Sequence, residues 1–304
     1  MSRHRPPFTA VGLGEVLWDL LPADRQLGGA PANFAWHAQN LGARGIVASR
    51  VGDDVLGREV LDRLRELALE MAWVTVDPVH PTGTVSVALS AAGVPCYTIH
   101  QDVAWDFIAT DRRLLELAAR ADAVCFGSLA QRAPVSRAAI AGFLQATRPG
   151  CLRMFDVNLR QSFFSREVIE ASLARSNLLK LNEEELPAVA RLLGLAGDEN
   201  TVLDALLRRY ALRVVALTRG PHGSLLQTPS ARSVHAGIPV RVVDTVGAGD
   251  AFTAAVVMGW LLGRDLDWIN AQANRVASFV CSRPGATPSL PDELTAPFRE
   301  RPPR

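Results

Sequence analysis

Short apolar runs alternate with amphipathic stretches along most of the chain. Phe8 to Leu13, Gly45 to Arg50, Ala121 to Phe126, Leu152 to Val157, Asn177 to Leu181 and Arg213 to Thr218 read as strands bounded by turn residues. Pro31 to Leu41, Val55 to Leu69 and Val135 to Ala146 carry apolar residues at helical spacing, and Ala251 to Leu262 is a strongly apolar helix. Strands alternating with helices predict right-handed crossovers, hence an α/β fold whose mostly parallel central sheet has helices on both faces. Two places break the rhythm. Glu15 to Leu21 alternates weakly, and Gly83 to Ser90 with Pro95 to His100 reads as a hairpin around Ala91-Ala92-Gly93-Val94. These strands have no helix between them, so they are edge strands of the main sheet or a small β appendage over one end of it. Arg299 to Arg304 reads as a polar tail.

A chain of 304 residues suits one large domain, here taken as 1–304. The net charge of +1 gives no global field toward nucleic acid or a membrane surface, and neither is expected as a partner. No apolar run reaches the roughly 20 residues of a membrane span. The basic stretch Met1 to Pro7 is followed by no leader-like apolar region. Cys96, Cys125, Cys151 and Cys281 form neither a Cys-x-x-Cys pair nor a metal spacing, which fits a reducing compartment. A soluble cytoplasmic protein is the expectation.

The basic residues hold one further exclusion: Lys180 is the sole lysine, and the rest are arginine. A phosphate-binding loop of the Gly-Lys-Ser/Thr type is therefore absent, as are the lysine pairs of protein-kinase and Ser-x-x-Lys chemistry. Gly12-Leu13-Gly14 follows the first strand, but position 17 is Leu17 where a dinucleotide fingerprint needs glycine. Hydride transfer is disfavoured.

Asp244-Thr245-Val246-Gly247-Ala248-Gly249-Asp250 is the most informative segment. Small residues at a helix start leave backbone N–H groups uncovered, and with the helix dipole they make an anion site. Asp250, in the first turn, can accept a proton from a substrate hydroxyl. Taken by itself the segment also reads as a helix capped by Asp250 after a glycine turn. Gly28-Gly29-Ala30-Pro31-Ala32-Asn33 lets the backbone approach a small ligand, with Asn33 offering donor and acceptor, or is a plain glycine turn before a helix. Asn182-Glu183-Glu184-Glu185 stands at a strand's carboxyl end, where open α/β sheets bind ligands, and equally suits an acidic helix start. Arg160 is a cation on a loop after a strand.

Asp244 to Asp250 resembles the second signature of the ribokinase, or PfkB, family of carbohydrate kinases, and Gly28 to Asn33 resembles its first. The resemblance runs from about Val11 to Ser289 and implies a three-layer ribokinase-like fold, with a β lid from about 15–26 and 83–107. It implies a kinase using ATP and Mg²⁺, with the anion hole at Gly247, Ala248 and Gly249 and Asp250 as base. Sugar contacts would come from Asp19, Gly28, Gly29, Asn33, Arg160 and Asp250. Nucleotide contacts would come from Lys180, Asn182, Thr218, Gly220, Gly223, Gly249, Asn274 and Ala277. Glu185 would hold Mg²⁺ through water. Asp244, Val246, Val280, Arg283, Gly285 and Ser289 mark a candidate K⁺ site. Glu15 to Pro22, Ala104-Trp105-Asp106 and Asp156 to Arg160 are similar to fructokinase-type members, which makes D-fructose the favoured substrate. The alternatives are 2-keto-3-deoxygluconate and ribose, or a non-catalytic sugar- and nucleotide-binding relative. Trp105 either stacks on a sugar face or packs the lid. Lys180 shares a strand face with Asn182, near the phosphate end. The exposed edges of lid strands suit pairing with a second copy.

Overall fold

The structure is a computed structural model that describes residues 7–21, 24–89 and 95–299. The turn Ala91 to Val94 and most of the terminal segments read above lie outside the described residues. The strands are β1 (Thr9–Leu13), β2 (Leu17–Leu20), β3 (Arg25–Gly28), β4 (Arg44–Gly52), β5 (Val74–Asp77), β6 (Gly83–Leu89), β7 (Pro95–Ile99), β8 (Ala123–Phe126), β9 (Leu152–Asp156), β10 (Leu178–Asn182), β11 (Val214–Thr218), β12 (Ser224–Gln227) and β13 (Arg232–His235). The helices are α1 (Ala30–Asn40), α2 (Val55–Glu66), α3 (Arg112–Arg120), α4 (Pro134–Ala146), α5 (Arg166–Arg175), α6 (Glu185–Leu193), α7 (Glu199–Arg209), α8 (Ala248–Leu261), α9 (Leu266–Cys281) and α10 (Asp292–Arg299).

Among the described residues the main sheet has nine strands in the order β13-β12-β11-β10-β9-β8-β1-β4-β5. The seven strands from β11 to β5 are parallel, and β12 and β13 extend the edge antiparallel. Alternation along each strand divides the core between two faces. Val11, Leu13, Phe155, Leu179 and Leu181 face the side covered by α3 to α7. Ala10, Met154 and Leu178 face α1, α8 and α9. The expected three layers are present. Among the described residues no helix is long and apolar enough to cross a membrane.

Gly12 shows why α1 lies so close to the sheet. A Cβ there would stand 1.8 Å from the Pro31 carbonyl oxygen. The glycines of this first turn serve packing rather than a dinucleotide, as the missing third glycine implies. The two breaks in the rhythm join in a second sheet of four strands, β3-β2-β6-β7. Its β2 and β6 run parallel, from Leu17 beside Gly83 to Leu20 beside Ser86. This resolves the choice left open above in favour of a separate appendage. It stands over the end of β1, to which Val16 and Leu17 connect it through the core.

Candidate active site

The carboxyl ends of the central strands carry the site. α8 starts at Ala248, not at Ala251 as the apolar pattern alone implies. Gly247 is its N-cap in the left-handed region (φ 76°), so Ala248 and Gly249 lie inside the first turn. The first amides of a helix lack intrahelical acceptors. With no side chain larger than methyl before Asp250, they are open to the cleft. Gly247 is required twice, since a Cβ would also fall 2.5 Å from the Ala286 carbonyl oxygen. Asp244 ties the same loop to the neighbouring turn. One of its carboxylate oxygens accepts the Val246 N–H (3.0 Å) and the other the Gly285 N–H (3.1 Å).

Of the candidate K⁺ residues, Asp244, Val246 and Gly285 are thus brought together. Val280 is a core residue of α9, and its carbonyl already accepts the Arg283 N–H at 3.0 Å. Arg283 stacks its guanidinium 5.1 Å from the Phe279 ring centre, and Ser289 is exposed.

Asp250 is half-buried and accepts a hydrogen bond from the Asn33 amide at 2.8 Å. The two signature segments therefore meet at one carboxylate, 217 residues apart in sequence. Burial, and after it the negative charge of Asp156, push its pKa up to about 6 against the Asn33 bond and the charges of Lys180 and Arg160, which pull it down. Asp19, on β2, is also raised by burial and lowered by Arg160. A Cβ on Gly28 would meet the Asp19 carboxylate at 2.5 Å, so glycine there lets strand β3 pass close beside it. Gly29 (φ 115°) caps α1, where a Cβ would meet the Glu15 carbonyl oxygen at 2.5 Å. Arg160 is exposed, between Asn158 and Gln161, both at positive φ (45° and 50°). Gln161 donates to the Tyr97 carbonyl at 2.7 Å, which links this loop to lid strand β7.

Glu15 belongs to the same group and escaped the sequence analysis. It is 2% exposed, and its Oε2 is buried with no hydrogen-bond partner. Burial pushes its pKa up to about 7, with the Asp250 charge adding to the rise and Arg160 and Arg132 opposing it. Nothing in a lone Gly-Glu pair announces this. Trp105 packs the lid: it is fully buried, with Arg132 4.0 Å from its ring centre.

Lys180 is buried on the α8 face of β10. It is paired in register with Asp156 on β9, to whose carboxylate it donates at 3.0 Å. Its Nζ lies 3.2 Å from where a Cβ on Gly249 would stand, directly beneath the first turn of α8. Asn182 and Glu185 brace each other. The Asn182 side-chain oxygen accepts the N–H groups of Glu184 and Glu185, and one Glu185 oxygen accepts the Asn182 N–H (2.8 Å). The other Glu185 oxygen accepts the Leu159 N–H (2.9 Å), anchoring the loop that carries Arg160. Two amides occupy half of the roughly four lone-pair sites of that carboxylate, leaving room for metal-bound water. Among the described residues no three His, Cys, Asp or Glu side chains form a metal cage.

Thr218 ends β11 and accepts the Glu183 N–H on its carbonyl (3.0 Å). Gly220 (φ 52°) and Gly223 (φ 80°) then turn the chain into β12. Gly223 is packing-limited, 2.0 Å from the His235 carbonyl oxygen at its Cβ position, whereas Gly220 faces open space. Asn274, expected above to contact the nucleotide, lies on α9. It is buried, and its amide donates to Ser224 Oγ (2.7 Å) and the Asn270 carbonyl (2.8 Å), holding α9 to the sheet edge. Ala277 is half-buried one turn further on.

The profile of pfkB family carbohydrate kinases matches residues 23–293. The fructokinase of Klebsiella pneumoniae is 31% identical over 261 residues, covering 81% of this chain and 82% of that one. The crystal structure of a sugar kinase from Pyrococcus horikoshii in complex with ATP is 28% identical. It covers 95% of this chain and 97% of its own, with a TM-score of 0.79. The fructokinase of Xylella fastidiosa with bound ATP shares the fold (TM-score 0.82, 20% identity, 96% and 98% covered). The chain belongs to the pfkB family of carbohydrate kinases. Its class of reaction is phosphoryl transfer to an alcohol group.

Proposed function

We propose that the protein is a fructokinase-type enzyme that transfers the γ-phosphoryl group of ATP to a hydroxyl of D-fructose. The carrying observation is the convergence on Asp250: Asn33 from the first signature bonds it, and it sits in the amide-rich turn at Gly247 to Gly249. Asp250 takes the proton as the sugar oxygen attacks phosphorus. The bond from the γ-phosphorus to its bridging oxygen breaks, and ADP leaves. Charge spreads over the γ-phosphoryl oxygens in such a transfer, and first-turn amides stabilise it there. Mg²⁺, held through water by Glu185, would neutralise phosphate charge. Asp19, Asn33 and Arg160 would orient sugar hydroxyls, and closure of the β2-β3-β6-β7 lid would keep water from competing. Relatives named fructokinase support the choice of sugar. An intact base argues against a non-catalytic binder.

A coupled assay over D-fructose, 2-keto-3-deoxygluconate and D-ribose tests the substrate. Fructose should lead the others in kcat/KM by at least about tenfold, the discrimination that one unsatisfied polar contact readily supplies. A lead by the sugar acid would reassign it, and no turnover on any of the three would sink the kinase reading. The same assay in potassium and sodium buffers tests the cation loop at Asp244, Val246 and Gly285. Faster turnover in potassium is expected, and equal rates would count against a K⁺ site. Pairing of two copies through the exposed lid edges would appear as a dimer in sedimentation.

A further inference from the structure

The α8 face of the sheet is apolar through Leu178 and Met154, then is interrupted by one ion pair, Lys180 with Asp156. Both side chains are less than a tenth exposed. A buried ion pair is a poor device for stability, since desolvation offsets the attraction. This one sits where function needs rigidity. Asp156 uses both oxygens: one accepts from Lys180 Nζ (3.0 Å), the other from Thr253 Oγ1 (2.9 Å). Thr253 Oγ1 is also 2.9 Å from the Gly249 carbonyl, one helical turn back. Lys180 in turn stands under the Cα of Gly249. Asp156 therefore holds the start of α8 at two points, through the lysine beneath Gly249 and through the threonine one turn further on.

We infer that Asp156 is a positioning residue for phosphoryl transfer, which clamps the anion-hole turn through Lys180 and Thr253 and sets the electrostatic environment of the base. The inference rests on the phosphoryl-transfer reading of Asp250. The groups facing Asp250 are Asn33 from α1, Asp156 from β9, Lys180 from β10, Arg160 from the loop after β9, and Glu15 from the β1–β2 connection. Of these, Asp156 pushes its proton affinity up, Lys180 and Arg160 push it down, and Asp250 in turn raises that of Glu15. Removing the Asp156 charge leaves Lys180 unopposed, so both changes act in one direction.

The test measures kcat, sugar KM and the pH profile of kcat/KM for wild type, Asp156→Asn and Thr253→Val. Asp156→Asn should lower kcat by about 10- to 100-fold, the usual loss when a supporting contact is cut, with sugar KM within threefold. Its acid limb should move to lower pH. Thr253→Val keeps both charges, so kcat should fall while the limb stays in place. The double variant Lys180→Met/Asp156→Asn strands no buried charge; it should fold and still lose at least tenfold in kcat. An acid limb unmoved in Asp156→Asn, or kcat of the double variant within twofold of wild type, would overturn the inference. A wild type without turnover on any sugar would remove the underlying reading itself, a result distinct from an active wild type with indifferent variants.

Discussion

Asp250→Asn should lower kcat for sugar phosphorylation by about 10³, within the 10²- to 10⁴-fold range that a general base contributes. Sugar KM should stay within about threefold, because Asn still accepts the Asn33 hydrogen bond and only the proton acceptor is lost. In the wild type the carboxylate works when ionised, and its pKa is pushed up to about 6. Activity should be full near pH 8, half-lost near pH 6 and nearly absent at pH 5, and steady-state kinetics across that range measure it. The same shift bears on stability with the opposite sign. A carboxyl whose folded pKa lies above its unfolded value stabilises the fold while protonated and loses that contribution as pH rises through the folded pKa. Asp250→Asn should therefore raise Tm at pH 8, keep part of that advantage at pH 5, and lose it only as pH falls below the ordinary carboxylate value of about 3.9, which thermal melts across that range would show. A variant with near-normal turnover would remove Asp250 from the role of base.

Gly247→Ala should damage catalysis far more than one added methyl group ordinarily does. Alanine in a left-handed conformation costs about 1–2 kcal/mol. The Cβ would also lie 2.5 to 2.8 Å from three atoms of Ala286, and overpacking of this kind costs about 1–3 kcal/mol more. The loop can relieve the clash only by moving the helix start away from Ala286, which takes the anion-hole amides with it. We expect kcat to fall by about 10²-fold or more, as when an anion-hole donor is lost, together with a Tm lower by several degrees. Gly263→Ala is the matched control. Gly263 has a similar φ (68°) but nothing within 4 Å of its Cβ position, so this variant should lose stability modestly and keep its activity. Equal losses of kcat in the two variants would show that Gly247 has no special part in catalysis.

The central strands were legible because each is an apolar run ended by a turn, and in a parallel sheet both faces are buried. The short edge strands β3 and β13 carry polar, exposed residues such as Arg25 and Arg232, and their pairing comes from neighbours rather than from their own pattern. The start of α8 was misplaced for a related reason: glycine and alanine carry no amphipathic signal, so periodicity finds the helix only where the bulky residues begin. Within the site, residues embedded in compact motifs, such as Asn33 and Asp250, could be read directly. Asp156 could be quoted but not understood, because its partners Lys180 and Thr253 are 24 and 97 residues away. Glu15 opens a segment similar to fructokinase-type members, but nothing in that segment singles it out, and only its burial among other charges marks it. The packing contact of Asn274 with Ser224 was not legible, because a polar residue on a late helix looks the same whatever it faces.

A chain whose sole lysine is locked beneath a helix presents almost no amine to its surroundings. Amine-directed reagents, which disable many enzymes through surface lysines, find no exposed lysine on this chain while the fold is closed. The same feature makes Lys180 a built-in reporter. Its ammonium becomes reactive only when β10 separates from α8, so amine labelling at that one position, followed by mass spectrometry, counts opening events of the catalytic face without any engineered probe.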